Sequence, residues 1–327
     1  MLGRLREIDD ELHELPDQLD PLAKKISSAR DVVARSEQNN PLHTSLIGLL
    51  SRADRAHIAN LGWLVGKPVL SAPDVARSVD SFLIKILGRD ESTASDPGQS
   101  YEKSLARFIR AEGGASIIPT GVLEAALLKK LFGDPWLALD AKLRTGVMET
   151  LHGDLEQNQR WLPETRDQVL SLAGLSIVGE GAGAFGAYFT AAAVIAIGAR
   201  QYKLHFPTQP FASLPGTLKV LAEDGLFERL VGRLVDAAGS GERARAIIAV
   251  AYVHMIRAIH WGHFEREHGK LQTALSSVEV ALENGKRRLV RLRDERNEIL
   301  LQATGVIGFT TMLIGGLAYV VQLLLAG

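Results

Sequence analysis

From Ile299 to Gly327 the chain carries no Asp, Glu, Lys or Arg. A helix needs roughly 20 apolar residues to cross the ~30 Å hydrocarbon layer of a bilayer, so this run is long enough to span with some tilt. Gly305, Gly308, Gly315 and Gly316 provide small-residue positions along it that permit close helix approach. A soluble core helix of this length is expected to keep charge along one stripe. The run therefore predicts a C-terminal transmembrane helix at 299–327. Lys286, Arg287, Arg288, Arg291, Arg293 and Arg296 precede it, and basic flanks mark the cytoplasmic side of a span. They also suit anionic headgroups. Asp294, Glu295 and Glu298 interleave with them, which leaves a solvated helix face as the alternative. Met1 to Asp20 is charged and lacks the apolar core of a secretory signal. The expectation is a tail-anchored protein, its bulk on the cytoplasmic side of a bacterial inner membrane.

Composition sharpens this picture. In 327 residues, 37 Lys plus Arg meet 38 Asp plus Glu, which speaks against a basic nucleic-acid coat; no nucleic-acid partner is expected. Mean hydropathy is nevertheless +0.06, so the apolar residues are concentrated locally. A second uncharged run, Gly181 to Ala199, is rich in Ala and Gly and closed by Arg200 and Lys203. If this run and the terminal one both spanned, residues 1–180 would need export without a signal. The preferred expectation is a buried hairpin or conditional membrane segment at 169–203, with a true span as the alternative.

The remainder predicts an all-α fold: a helical bundle body with a long C-terminal coiled-coil-like helix running into the span. Trp261, Phe264, His268, Leu271, Leu275, Val278, Leu282, Gly285, Leu289, Leu292, Arg296 and Ile299 follow a 3–4 alternation, with His268, Gly285 and Arg296 as its exceptions. Leu5, Ile8, Leu12, Leu15, Leu19, Leu22, Ile26, Ala29 and Val33 repeat that spacing, although Pro16 and Pro21 are expected to break or restart their helix. An antiparallel or intermolecular coiled coil follows; two amphipathic helices packed on a globular body are the alternative. The organisation is then heptad helices at 1–40, a helical body at 41–168, the Gly/Ala-rich segment at 169–203, the body continued at 204–260, a stalk helix at 261–298 and the span at 299–327. Within the body, Phe82, Leu83, Ile86 and Leu87 form one apolar face, and Val122, Leu123, Ala126, Leu127, Lys130 and Leu131 another. Ile247, Ile248, Val250, Ala251, Val253 and Ile256 form a third, apolar enough to be central. Ser71 to Asp74, Asp134-Pro135 and Ser213 to Gly216 read as helix starts.

Candidate chemistry is sparse. The absence of Cys removes disulfides and thiolate metal sites. Gly181, Gly183 and Gly186 match G-x-G-x-x-G after the strand-like Leu175 to Val178, but no acid follows at the spacing a ribose needs and no βαβ pattern surrounds them. Close packing of a small-residue helix, or a membrane-active hinge, accounts for them better. His254, His260, His263 and His268 cluster with Glu265 and Glu267. His260, His263 and Glu267 share a helical face and are the weak metal candidates, yet a di-iron bundle needs a second Glu-x-x-His unit and none is found. Lys103, Arg107 and Arg110 form a basic stripe best read as a solvated face. No catalytic residue and no cofactor is expected.

Ser100-Tyr101-Glu-Lys-Ser-Leu105, Glu124-Ala-Ala-Leu127-Leu128-Lys-Lys-Leu131-Phe132, Trp136 and Leu151, with the apolar stretch Leu172 to Ala199 downstream, resemble the YaaW-like family of bacterial proteins. The resemblance covers about a third of the chain with the apolar segment included. It implies a link to chaperones of the ubiquinol–cytochrome c complex, without catalytic residues to carry over. Two functions are thus expected in competition. One is a membrane-perturbing, toxin-like or defence effector that self-associates on a lipid bilayer. The other is a membrane-bound assembly factor.

Overall fold

The computed structural model describes residues 2–67, 71–87, 101–109, 118–157, 182–207 and 225–326. These residues are helical throughout their regular structure, and no strand occurs among them. The helices are α1 (Leu2–Gln38), α2 (Leu46–Leu50), α3 (Arg55–Leu64), α4 (Ala72–Leu87), α5 (Tyr101–Ile109), α6 (Thr120–Phe132), α7 (Ala141–Gln157), α8 (Ala182–Gln201), α9 (Leu226–Ala238) and α10 (Gly241–Ala326). The chain is therefore all-α. It divides into two compact units, one of residues 1–36 with 268–327 and one of residues 37–267.

The body, residues 37–267, is built around the first part of α10. Ala246 to Val253 are all essentially inaccessible, as are His254, Met255, Ile256 and Arg257. A helix buried on every side needs apolar residues all round, and this stretch has them except at His254 and Arg257. Helices α2 to α6 pack in overlapping pairs, and α9 packs on both α6 and α8. Short polar side chains open the helices. Ser45 Oγ accepts from Gly48 N, Asp140 Oδ1 from Leu143 N and Ser240 Oγ from Arg243 N, each satisfying a donor that the first turn leaves free. The start expected at Asp134-Pro135 is instead a single turn, with Asp134 Oδ1 accepting from Leu137 N; the helix proper opens at Asp140. Ser71 to Asp74 does begin α4, while Ser213 to Gly216 lies outside the described residues. Gly133 and Gly239 close α6 and α9 at φ of 76° and 58°, where a side chain would be strained.

Two apolar faces need comment. Ile247, Ile248, Val250, Ala251, Val253 and Ile256 are buried as the pattern predicts. On α6 the buried set is Thr120, Gly121, Leu123, Glu124, Leu127, Leu128 and Phe132, while Val122 is 43% exposed and Lys130 faces outward. The face is rotated from the one expected because Glu124 points inward. For Leu83, Ile86 and Leu87 only the helical backbone is described.

In the other unit, α1 and the 268–299 part of α10 lie antiparallel. Arg4 pairs with Glu295 at 2.9 Å, Arg30 with Glu279 at 2.7 Å, and His268 Nδ1 lies 3.2 Å from Ser36 Oγ. All nine heptad positions from Leu5 to Val33 are buried or half-buried, as are those from His268 to Ile299 except Arg296. Each exception in the α10 pattern meets a specific neighbour: His268 meets Ser36, Arg296 pairs with Asp9 at 2.9 Å, and Gly285 receives Leu19 where a Cβ would stand. Trp261 and Phe264 belong to the body rather than to this seam. The expected break at Pro16 and Pro21 is corrected: α1 is one helix with both prolines inside it. Both rings are exposed, so neither fills a place in the seam, whose contacts on either side of them hold the helix together.

A proline inside a helix costs about 3 kcal/mol relative to alanine. Pro16→Ala and Pro21→Ala remove no seam contact, so each is expected to raise the unfolding free energy by up to about that amount. Urea unfolding followed by circular dichroism checks this, and a loss of stability would mean that the prolines themselves set the seam's register.

Candidate functional site

The least expected residues of the body are its buried charges. Ala246 to His260 contains Arg257 as its only Lys, Arg, Asp or Glu, and Pro119 to Leu128 contains only Glu124. These two side chains are both fully buried and meet as a two-pronged pair, with Arg257 Nε donating to Glu124 Oε2 at 2.8 Å and Nη2 to Oε1 at 3.0 Å. The carboxylate accepts two further hydrogen bonds, from Tyr101 Oη to Oε1 at 3.1 Å and from His254 Nδ1 to Oε2 at 3.2 Å. The remaining guanidinium nitrogen, Nη1, donates to the carbonyls of Pro41 and Thr44 at 2.5 and 2.7 Å. Gly121 makes this geometry possible. A Cβ there would lie 2.5 Å from Arg257 Cδ and 2.8 Å from Leu42 Cδ2.

Burial alone would push the Glu124 carboxyl up, but the Arg257 charge and the hydrogen bonds from His254 and Arg257 hold it below the ordinary carboxylate range. Burial likewise works against the Arg257 charge, and Glu124 outweighs it. Tyr101 is raised well above its usual value, first by burial and then by the adjacent carboxylate, and stays a neutral donor. The cluster is therefore a charge-balanced knot that ties α5, α6, α10 and the 41–44 turn together.

Beside this knot lies a cleft of about 410 Å³ between α6, the 133–137 turn, α8 and α10. Leu128, Trp136, Ala187 and Trp261 give it apolar walls, Gly183 and Gly186 lie along its α8 side, and His254 reaches it from the knot. Trp136 is fixed by ring contacts to Phe185 and Phe189, with centroids 4.8 and 5.1 Å away. Gly186 is a packing position, since a Cβ on it would lie 3.3 Å from Trp136 Cδ1.

The expected site residues divide accordingly. Gly183 and Gly186 sit on one helix, α8, whereas Gly181 and the strand-like Leu175 to Val178 lie outside the described residues. Residues 182–201 form one continuous helix, and the stretch 169–181 that would complete a hairpin also lies outside. His263 and Glu267 are exposed and His260 is half-buried. Among the described residues no three His, Asp or Glu side chains gather as a metal set. Lys103 and Arg107 are exposed on α5, and Arg110 lies outside the described residues. In the basic flank, Arg287 pairs with Glu283, Arg288 with Glu11 and Arg296 with Asp9; Lys286, Arg291 and Arg293 are exposed.

Two helices are long and apolar enough to cross a membrane, and they differ in environment. In α8, 67% of the apolar window is buried inside the body; in α10 none of it is. Leu301, Phe309 and Met312 are 74, 68 and 81% exposed. Gly305 and Gly308 have nothing within 4 Å of an added Cβ, and Gly315 and Gly316 continue the same helix. No protein-family model, no curated protein and no solved structure matches this chain.

Removing one partner of a buried ion pair costs about 3–5 kcal/mol, because the other charge is left stranded. Arg257→Met is expected to destabilise the body by that amount, and Glu124→Gln combined with Arg257→Met to recover part of it; chemical unfolding of the single and double variants checks this. A second expectation concerns His57, buried beside Tyr252 Oη at 3.1 Å. Its pKa is lowered from 6.5 to about 4, chiefly by burial, so the unfolded chain binds the proton more tightly. Stability is then highest above pH 6.5 and falls as the pH drops towards 4, by roughly 3 kcal/mol from this group. His57→Gln should flatten that segment of a stability–pH curve.

Proposed function

We propose that this protein is held at a membrane by the apolar end of α10, and that its body works there on the cytoplasmic side as a membrane-perturbing effector. The observation that carries the anchor is that Leu300, Leu301, Val306, Phe309, Met312, Leu313 and Ile314 are exposed within a run bare of charge. Water disfavours such a surface by roughly 25 cal/mol for each Å² of apolar area, and a bilayer removes that penalty. The cytoplasmic side is supported by the basic residues from Lys286 to Arg296, because orientation counts Lys and Arg near the span and is little affected by acids.

The perturbing activity rests on α8. It is apolar around its whole circumference, a property shared by core helices and membrane spans. Transfer into lipid would exchange one apolar environment for another. Its contacts with α10 pass through Gly198, where a Cβ would lie 2.7 Å from Ile248 Cγ1. A disulfide needs Cβ atoms about 3.5–4.5 Å apart, so Gly198→Cys with Ile248→Cys can staple α8 into the body. No native Cys interferes.

The test pairs flotation with leakage on anionic vesicles. The full chain is expected to float and a chain ending at Glu298 to remain in the dense fraction; equal flotation of both would defeat the anchor. Leakage by the full chain should vanish when the staple is oxidised and return on reduction. Leakage indifferent to the staple would defeat α8 as the inserting element. The assembly-factor reading is favoured by a different observation: Tyr101 and Glu124, which carry the YaaW-like resemblance, meet in the knot, and Trp136 packs on α8. It expects intact vesicles and co-purification with a membrane complex.

A further inference from the structure

We propose that the cleft between α6, α8 and α10 is a binding site for a small, neutral, apolar molecule that carries one hydroxyl group. The inference is independent of membrane attachment. Ligand cavities are typically 300–1,000 Å³, largely apolar, with one or a few polar groups that fix orientation. At about 410 Å³ this cleft lies in that range. Its two indoles, Trp136 and Trp261, suit a flat ring system, and Gly183 lets a ligand approach the α8 backbone.

The polar group is His254. Its side chain is 3% exposed, so it is almost wholly withdrawn from water and yet lines the cleft. Glu124 Oε2 can only accept, so His254 Nδ1 carries the hydrogen of that 3.2 Å contact. In the neutral ring this places the lone pair on Nε2, the nitrogen that Glu124 does not engage. Through the cleft a ligand hydroxyl can donate to this nitrogen in place of water. Lys129 and Asp134 also line the cleft but are exposed, and Thr190 Oγ1 donates to the Gly186 carbonyl, so the buried walls of Leu, Ala and Trp favour an uncharged ligand.

The probe pair is 2-naphthol and 2-methoxynaphthalene, which share a ring system and differ in the hydroxyl donor. Binding is measured by calorimetry on the full chain in lipid nanodiscs. Gly183→Leu serves as the blocked reference, because it carries the same lipid and so subtracts partitioning. An added Cβ at Gly183 meets only Trp261 Cη2, at 3.8 Å, so the larger side chain enters the cleft without disturbing the backbone. The expected result is saturable binding of 2-naphthol, at least tenfold weaker binding of the ether, and loss of both in Gly183→Leu. His254→Phe should remove the preference for the hydroxyl; if that variant does not fold, the ether comparison and the blocked variant decide alone. Equal binding of the two probes, or binding unchanged in Gly183→Leu, would overturn the proposal.

Discussion

The Arg257–Glu124 pair constrains the body more than any other interaction in it. A guanidinium and a carboxylate cannot enter an apolar core singly, and even as a pair they regain their hydration only if every donor and acceptor is matched. Here the matching draws on four separate stretches of chain. Tyr101 comes from α5, Glu124 from α6, His254 and Arg257 from α10, and two carbonyls from the 41–44 turn. Because these groups are drawn from α5, α6, α10 and the 41–44 turn, losing any one partner strands a buried charge or hydrogen-bonding group, and the pair thereby holds α5 and α6 in register against the central helix.

That register sets the cleft. With Glu124 turned inward, Leu128 on the next turn of α6 is placed towards α8, and Lys129 lies at the rim. His254 and Arg257 are three residues apart on α10 and so share a face. One of them completes the salt bridge, and the other touches both the carboxylate and the cleft. A single imidazole thus stands between the cleft and the carboxylate that joins α5 and α6 to α10.

How much of this was legible in the sequence depends on what each residue's pattern encodes. The seam between α1 and α10 was legible from His268 onward, because a 3–4 repeat is a geometric statement about one helix face, and even its exceptions at His268, Gly285 and Arg296 met dedicated neighbours; the same repeat gave no sign that Trp261 and Phe264 belong to the body. Continuity of α1 was not legible. The local cost of Pro16 and Pro21 argues for breaks, and only the tertiary seam, invisible in a window of ten residues, overrides it. The α6 face was misjudged for the opposite reason. Periodicity assigns every Glu to solvent, and a buried Glu is allowed only by a partner 133 residues away. A usable signal existed: one lone acid in Pro119 to Leu128 and one lone base in Ala246 to His260, each stranded in an apolar stretch that had to neutralise it.

The two apolar helices show why composition alone stops short of environment. Over α8 and over the end of α10 it describes the same object, a charge-free helix of spanning length. What separates them is whether neighbours exist to cover them. Helix α8 is covered because α6 and α9 pack on it, and its glycines fit that packing closely: Gly198 against Ile248 and Gly186 against Trp136. Glycine at such contacts is a response to a particular neighbour, since a generic lipid surface demands no clearance at one atom. The glycines of α10 face no such neighbour, with open space around Gly305 and Gly308. The same residue type therefore marks a finished interface in one helix and an unfilled one in the other. On the proposed reading that unfilled surface is completed by lipid, while α8 would have to exchange a shaped protein contact for an unshaped one. Its insertion is then opposed by the close fit at Gly198 and Gly186, and it requires that the body be loosened first.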